Sequence, residues 1–322
     1  MLYNEDTKPW IEKYKPLQLE DIYGNEKIII RLKNMINNNS LCNLIISGPS
    51  GIGKSCSIKC LSKLYLENNI NEALLELNGS DDRGINVMRG LIKSFAQKKI
   101  NLEMMNGKNK IIFLDEADSI TIGSQQALRR IIEKYSHSTR FIFICNNLNK
   151  IIEPIQSRCL MLKFEKLNET HLMNMISKIC INENITYTQQ GLNLITDISD
   201  GDMRQTISNL QNTYYSSNNV NKKSVYNICN IPLKYVMKDF IDLCLNKKIK
   251  ELYELIKINY DNGYSVDDLI NTIFYLIMSN KDLSDIKKVK YVKEVSIAGI
   301  NINNSVLDLI PIYHLITKLC SI

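Results

Sequence analysis

Short apolar runs punctuate the first half of the chain, Leu44-Ile45-Ile46, Ile111–Leu114 and Phe141–Cys145, and Leu74–Leu77 is expected to be a further short strand. Each is short enough to be a buried strand. Between them apolar residues recur at helical spacing. A helix is expected over 26–38 and another over Cys56–Leu66, with Ile58, Leu61, Leu64 and Tyr65. A third carries Ile85, Met88, Ile92 and Phe95 on one face. A fourth, Gly123–Tyr135, turns Ala127, Leu128, Ile131, Ile132 and Tyr135 inward. Strands alternating with amphipathic helices predict an α/β domain with a parallel sheet. From about Lys166 helical periodicity takes over, with later stripes through Val236–Leu245, Leu252–Ile258, Leu269–Met278 and Val306–Leu319. Ser216–Lys223 is polar and predicts a linker. At the other end, residues 1–25 form a proline-marked lead-in. Trp10 and Tyr14 predict a strap pinned to the domain surface.

Composition narrows the class. The chain has 322 residues, is 44% hydrophobic and has net charge +6, so it can bury sizeable cores and is mildly basic. That balance permits nucleic-acid binding without requiring it. The nine cysteines form no C-x-x-C pair, which suggests neither a zinc site nor a disulfide framework. Their apolar neighbours predict reduced, buried thiols in a cytosolic or nuclear protein. The histidines at 137, 171 and 314 are too far apart in sequence to suggest a metal site. No apolar run reaches membrane-spanning length, and the N-terminus does not resemble a signal peptide, so no membrane partner is expected.

Candidate chemistry begins at Gly48–Ser55, GPSGIGKS, which fits G-x-x-x-x-G-K-[ST]. A predicted strand precedes it and a predicted helix follows, the context in which that pattern cradles phosphates. Gly51 and Gly53 let the backbone curl, and the helix N-terminus adds positive potential. Lys54 would reach the β- and γ-phosphates of ATP, and Ser55 would ligate Mg²⁺. The second half of the site is the run ending in Asp115-Glu116. Two carboxylates beside a triphosphate repel it unless a cation intervenes. With Mg²⁺ present, Asp115 would help hold the ion, partly through water, and Glu116 could polarise an attacking water.

Further strings resemble the replication factor C small subunits, AAA+ sliding-clamp loaders. They are Pro9–Pro16 with Asp21–Asn25, NGSDDRG from Asn78, GSQQALRRIIEKYSHSTRFIFICN, IIEPIQSRC and GDMRQ. Within the family they look most like the eukaryotic subunit 2 type. The resemblance implies an AAA+ parallel-sheet ATP-binding domain (1–166), a helical lid (167–230) and an all-helical collar for oligomerisation (231–322). It places Ile11, Lys15 and Tyr23 on the base and sugar side of the nucleotide. It puts Gly48, Pro49, Ser50, Gly51, Ile52, Gly53 and Cys56 along the phosphates beside Lys54 and Ser55. Asn146 becomes the sensor that orients the attacking water, and Arg204 reaches the γ-phosphate from the lid. Arg158 acts in trans, as an arginine finger in a neighbour's site. Arg83, Arg89, Lys93 and Arg130 face the DNA backbone, and a clamp contact is expected near 96–109. The implied function is ATP-dependent loading of a PCNA-type clamp onto primer–template DNA, in the nucleus, by a hetero-pentameric ring. Departures from the family pattern are Ser50 for proline and Ile52 for threonine, both expected to leave ATP binding intact, and Gly79 for alanine, expected to loosen its turn. Two other readings compete. An origin-recognition or helicase-loading ATPase would usually carry an added DNA-binding domain. A structural ring subunit would bind nucleotide without turning it over, against which the Asp115-Glu116 pair argues.

Overall fold

The protein is described from a computed structural model, which covers residues 8–80, 85–98, 108–229, 236–280, 282–304 and 309–322, with backbone alone at 68, 85–89, 303 and 304. Arg83, the Arg89 side chain and the expected clamp-contact residues Ile100, Leu102, Met104 and Met105 lie outside the described residues. The chain divides into two compact units, Met1–Cys229 and Asn230–Ile322.

In the first unit the strap helix α1 (Trp10–Lys13) and α2 (Glu26–Asn37) lead into β1 (Leu44–Ser47). Then come α3 (Lys54–Leu66), α4 (Ile70–Ala73), β2 (Leu74–Asn78), α5 (Ile85–Gln97) and β3 (Lys110–Asp115). After these follow α6 (Ile122–Tyr135), β4 (Thr139–Cys145), α7 (Glu153–Gln156) and β5 (Leu160–Lys163). All the strand pairs are parallel, in the order β2-β3-β4-β1-β5. The inner strands β1, β3 and β4 are covered on both faces and lose the alternation of polar and apolar residues, which is why they read as continuous apolar runs, whereas the edge strand β2 has no fully buried residue. The pleat still sorts them. Leu44, Ile46, Ile111, Phe113, Ile142 and Ile144 pack into the core under α2 and α3. Ile45, Ile112, Leu114, Phe141 and Phe143 pack with Ile92, Leu128 and Ile132 on the opposite face. Each such buried side chain contributes about 1.5–3 kcal/mol.

A helical layer completes the first unit: α8 (Glu169–Asn182), α9 (Gln189–Ser199), α10 (Met203–Ser217) and α11 (Lys222–Ile228). Side chains of Thr188, Asp202 and Asn221 cap α9, α10 and α11 by accepting from backbone N–H groups in the first turns. The stretch 216–223 is not the expected linker. Its Asn219–Val220 forms β7, which pairs in parallel with β6 (Thr186–Tyr187), and Val220 is fully buried. One buried side chain inside a polar octet is too little to register as periodicity. The strap is pinned as expected, but to α10. Trp10, 3% exposed, stacks on Tyr214 at 5.7 Å, and its backbone N–H donates to Gln211 at 3.1 Å. Tyr14 donates to Glu183, the residue that follows α8, and this bond together with burial pushes its phenol pKa up to about 12, burial being the larger cause.

The second unit is helical in its described residues: Phe240–Leu245, Ile249–Asp261, Val266–Ser279, Asp285–Asn304 and Ile310–Ser321. Its core gathers Phe240, Leu252, Leu269, Ile273, Ile312 and Ile316, all nearly inaccessible. Ser265 and Asp268 form a reciprocal capping box at the start of Val266–Ser279. Every cysteine is a free thiol, and six of the nine are buried.

Lys110 begins β3 yet is buried, because its ammonium caps the C-terminus of α5. It donates to the carbonyls of Phe95, Ala96 and Lys98 at 2.9, 2.7 and 2.8 Å. Lys110→Met keeps the stem and strands those carbonyls. It is expected to destabilise the first unit by about 2–4 kcal/mol, read as a lower urea midpoint at unchanged m-value.

Candidate functional site

β1 lies between β4 and β5, and Ser47 pairs in register with Cys145. The next residues, Gly48 and Asn146, therefore leave the sheet side by side at its C-terminal edge, where ligands bind in open α/β folds. The loop after β1 turns through left-handed backbone at Gly51 (φ 64°) and Gly53 (φ 91°) before α3 begins at Lys54. Lys54 is 7% exposed. Its Nζ donates to the Gly48 carbonyl at 2.7 Å, to the Pro49 carbonyl and to Asn146 Oδ1 at 2.9 Å. Burial pushes its pKa down, against the pull of the Asp115 and Asp118 carboxylates.

The acids arrive from β3. The strand ends at Asp115, whose Oδ1 accepts the Glu116 N–H at 3.0 Å. Glu116 is left-handed, at φ 50° and ψ 42°. Gly79 permits a close crossing of two backbone segments. A methyl group there would lie 2.4 Å from the Glu116 carbonyl oxygen. Asp118 accepts the N–H groups of Asn146 and Asn147, both at 3.3 Å, and so orients the end of β4. Gln125, 2% exposed at the start of α6, donates to the carbonyls of Ile120 and Lys150 and accepts from Ile152 N–H. It holds the loops after β3 and β4 at a fixed spacing.

These elements enclose a cavity of about 510 Å³. Ile11, Lys15 and Tyr23 line it, with Ser50, Gly51, Ile52, Gly53, Lys54, Ser55 and Cys56, and also Asp115, Glu116, Asn146 and Arg204. Gly48 and Pro49 lie behind the lining, where their carbonyls hold Lys54. Burial pushes the Cys56 thiol pKa up, which makes it a wall rather than a nucleophile. Of the remaining candidates, Lys93 on α5 and Arg130 on α6 are exposed. Arg158 is not part of the lining. Its guanidinium donates to the Pro154 carbonyl at 2.6 Å and pairs with Glu133 of α6 at 2.6 Å. Arg129 pairs with the same Glu133 oxygen at 3.1 Å, and the two arginines hold that carboxyl below the usual range, Arg129 having the larger effect.

Sequence reading missed Asp202, Asp118, Gln125 and Glu133. Asp202 alone left a signal, as a capping residue before an apolar-periodic segment. It does more than cap. Ser50 Oγ donates to its Oδ2 at 2.9 Å while its Oδ1 accepts Gln205 N–H at 3.0 Å.

Comparison with known proteins separates the possibilities left by the geometry. Residues 2–158 match the Rad17 P-loop domain, and residues 232–318 match the replication factor C C-terminal domain. Replication factor C subunit 2 of Arabidopsis thaliana is 43% identical over 98% of this chain and 93% of its own. Probable replication factor C subunit 2 of Dictyostelium discoideum is 42% identical over 97% of this chain and 92% of its own. This chain belongs to the replication factor C small-subunit family. The family extends to a small subunit of Methanococcus vannielii, 37% identical over 97% of this chain and 98% of its own. Among solved structures, the Thermotoga maritima RuvB branch-migration motor aligns over 71% of this chain and 80% of its own, with TM-score 0.55 and 14% identity, a likeness of fold alone. As a replication factor C small subunit the chain is an AAA+ nucleotide-binding ATPase of the clamp-loader type, acting in DNA replication. The departures at Ser50 and Ile52 keep the loop's form, since Ile52 is buried in the core and Ser50 points to Asp202.

Removing the Lys54 ammonium leaves the loop carbonyls and any phosphate facing them without a counter-charge. Lys54→Ala is expected to weaken ATP binding at least tenfold, about 1.4 kcal/mol, as measured by isothermal titration. Unchanged affinity would rule out this cavity as the phosphate site.

Proposed function

We propose that this chain is one ATPase of a hetero-pentameric replication factor C ring, which loads a PCNA-type sliding clamp onto primer–template DNA in the nucleus. The observation that carries the reading is the convergence of Lys54, Ser55, Asp115, Glu116, Asn146 and Arg204 on one cavity that excludes Arg158. The proposed division runs 1–166 for the ATP-binding domain, 167–230 for the lid and 231–322 for the collar. Exposed apolar side chains favour a packed collar. Ile286, Val289 and Ile300 are 74, 70 and 60% exposed, more than an isolated helical unit would present without a partner.

In this reading Ile11, Lys15 and Tyr23 hold the base and sugar. The N–H groups of Gly51, Gly53 and α3 take the phosphates, and Lys54 exchanges its carbonyl partners for phosphate oxygens. Ser55 and Asp115 supply the hard oxygen donors that suit Mg²⁺. That ion would neutralise charge on the phosphates. Glu116 takes a proton from the attacking water, Asn146 orients that water and Arg204 contacts the γ-phosphate. Arg158 serves a neighbour, which its place outside its own cavity supports. Exposed Lys93 and Arg130 lie on helices that pack against each other, α5 and α6, and would meet DNA phosphates together with Arg83 and Arg89.

The DNA assignment predicts contact with phosphates and not with base edges. Arg130→Ala in the assembled ring is expected to weaken binding alike for all sequences and to reduce the salt slope by roughly one unit. Fluorescence anisotropy over a salt series checks this. An unchanged slope counts against the assignment.

The trans assignment predicts an isolated chain that binds ATP and hydrolyses it slowly. In the reconstituted ring Arg158→Ala should leave this chain's own ATP affinity intact. It should slow the neighbouring site by about 10³-fold or more. Glu116→Gln should retain ATP and stop hydrolysis at this chain's own site. Full turnover by the dilute monomer, indifferent to Arg158, would overturn the trans mechanism.

A further inference from the structure

The helical layer meets the phosphate loop through a small, well-defined joint. Met203 N–H donates to the Gly51 carbonyl at 3.0 Å. Beside it, Ser50 Oγ donates to Asp202 Oδ2 at 2.9 Å, and the other oxygen of the same carboxylate caps α10 by accepting Gln205 N–H at 3.0 Å. The fit is close: a methyl group on Gly51 would lie 1.7 Å from Asp202 Oδ1. The carboxylate therefore fills the space that glycine leaves.

We propose that Asp202 is a positioning residue for Arg204, registering the start of α10 on the phosphate loop through Ser50. The proposal rests on the reading of Arg204 as a γ-phosphate contact. Along its length α10 packs on α8, α9 and α1, and at its start the Met203–Gly51 backbone bond holds it to the loop. The Ser50 bond adds a side-chain tie at that same end. Because the carboxylate that makes it also sets where the helix begins, loop and helix are tied by one rigid group. Arg204 follows two residues later, in the first turn of α10, and lines the cavity. A cation in the first turn faces the positive end of the helix macrodipole. Fixing α10 keeps the guanidinium at the cavity, where an anionic ligand offsets that repulsion. Proline at position 50 has no hydroxyl and could not make this tie.

Ser50 is exposed, so its hydroxyl can be removed without disturbing the core. Isothermal titration of the full chain with AMP-PNP and with ADP, each with magnesium, reads the role. Ser50→Ala is expected to lower AMP-PNP affinity about fivefold, the scale of a partly exposed hydrogen bond to a carboxylate, with ADP affinity nearly unchanged. Ser50→Thr, which keeps the hydroxyl, is expected to restore the preference. Placed on Arg204→Ala, the Ser50→Ala change is expected to add nothing. Equal losses for both nucleotides, or the same loss in the Arg204→Ala background, would show a local effect on the loop and overturn the proposal. So would an unchanged Ser50→Ala chain when Arg204→Ala has lost the triphosphate preference. If Arg204→Ala keeps that preference, the γ-phosphate reading of Arg204 itself fails, and the positioning role falls with it.

Discussion

A lysine ammonium taken out of water has to be met by oxygen atoms. In this chain Lys54 is met by the carbonyls of Gly48 and Pro49 and by the amide oxygen of Asn146. Two of those atoms belong to the loop that Lys54 itself closes, so the loop's curl and the lysine's burial are one condition. The third belongs to the end of β4, and it is within reach because Ser47 and Cys145 are register partners. The order of strands in the sheet is thus what places an amide beside the ammonium. Asp118 then holds the same turn from below through two backbone N–H groups. Burial pushes the Lys54 pKa down against the pull of the nearby Asp115 and Asp118 carboxylates.

Much of this was legible in the amino-acid order, for reasons specific to each element. β1, β3 and β4 stood out because strands buried on both faces are apolar at consecutive positions. β5 did not, since Leu160–Lys163 is an edge with a single buried residue, Leu162. The pair β6 and β7 is too short to carry a period. The phosphate loop was legible because glycine spacing reports backbone geometry directly. Asp118 and Gln125 were not, and of Asp202 only its place as a helix cap was. A polar side chain that captures backbone groups across a fold looks, in sequence, like any solvated residue, and its partners are settled only by tertiary contact. Glu133 was hidden in the same way. It lies on the face of α6 turned from the core, and only the packing of α7 and its following turn brings Arg158 to it.

The family resemblance and the physical reading support each other at different places. The resemblance is densest where the chain carries chemistry, and there the geometry assembles most of the residues in one cavity. It is least informative where this chain departs from the pattern. At Gly79 the departure has a structural reason, because a side chain would strike the Glu116 backbone. At Ser50 it introduces a hydroxyl that finds a carboxylate on another element.

The strap, finally, changes how a bound nucleotide could leave. Trp10 is stacked on Tyr214 of α10 and tied to Gln211, and Lys13 and Tyr14 both engage Glu183, the residue that follows α8. The wall formed by Ile11 and Lys15 is therefore fastened to the helical layer that carries Arg204, and also to α3, where Cys60 Sγ donates to the Pro16 carbonyl at 3.5 Å. A cavity covered by two independent flaps would leak through whichever opened first. Here the base-side wall and Arg204 share one helical layer, so the two ends of the cavity are mechanically connected. A weakness introduced along the Trp10–Tyr214 seam would be felt at both ends of the ligand at once.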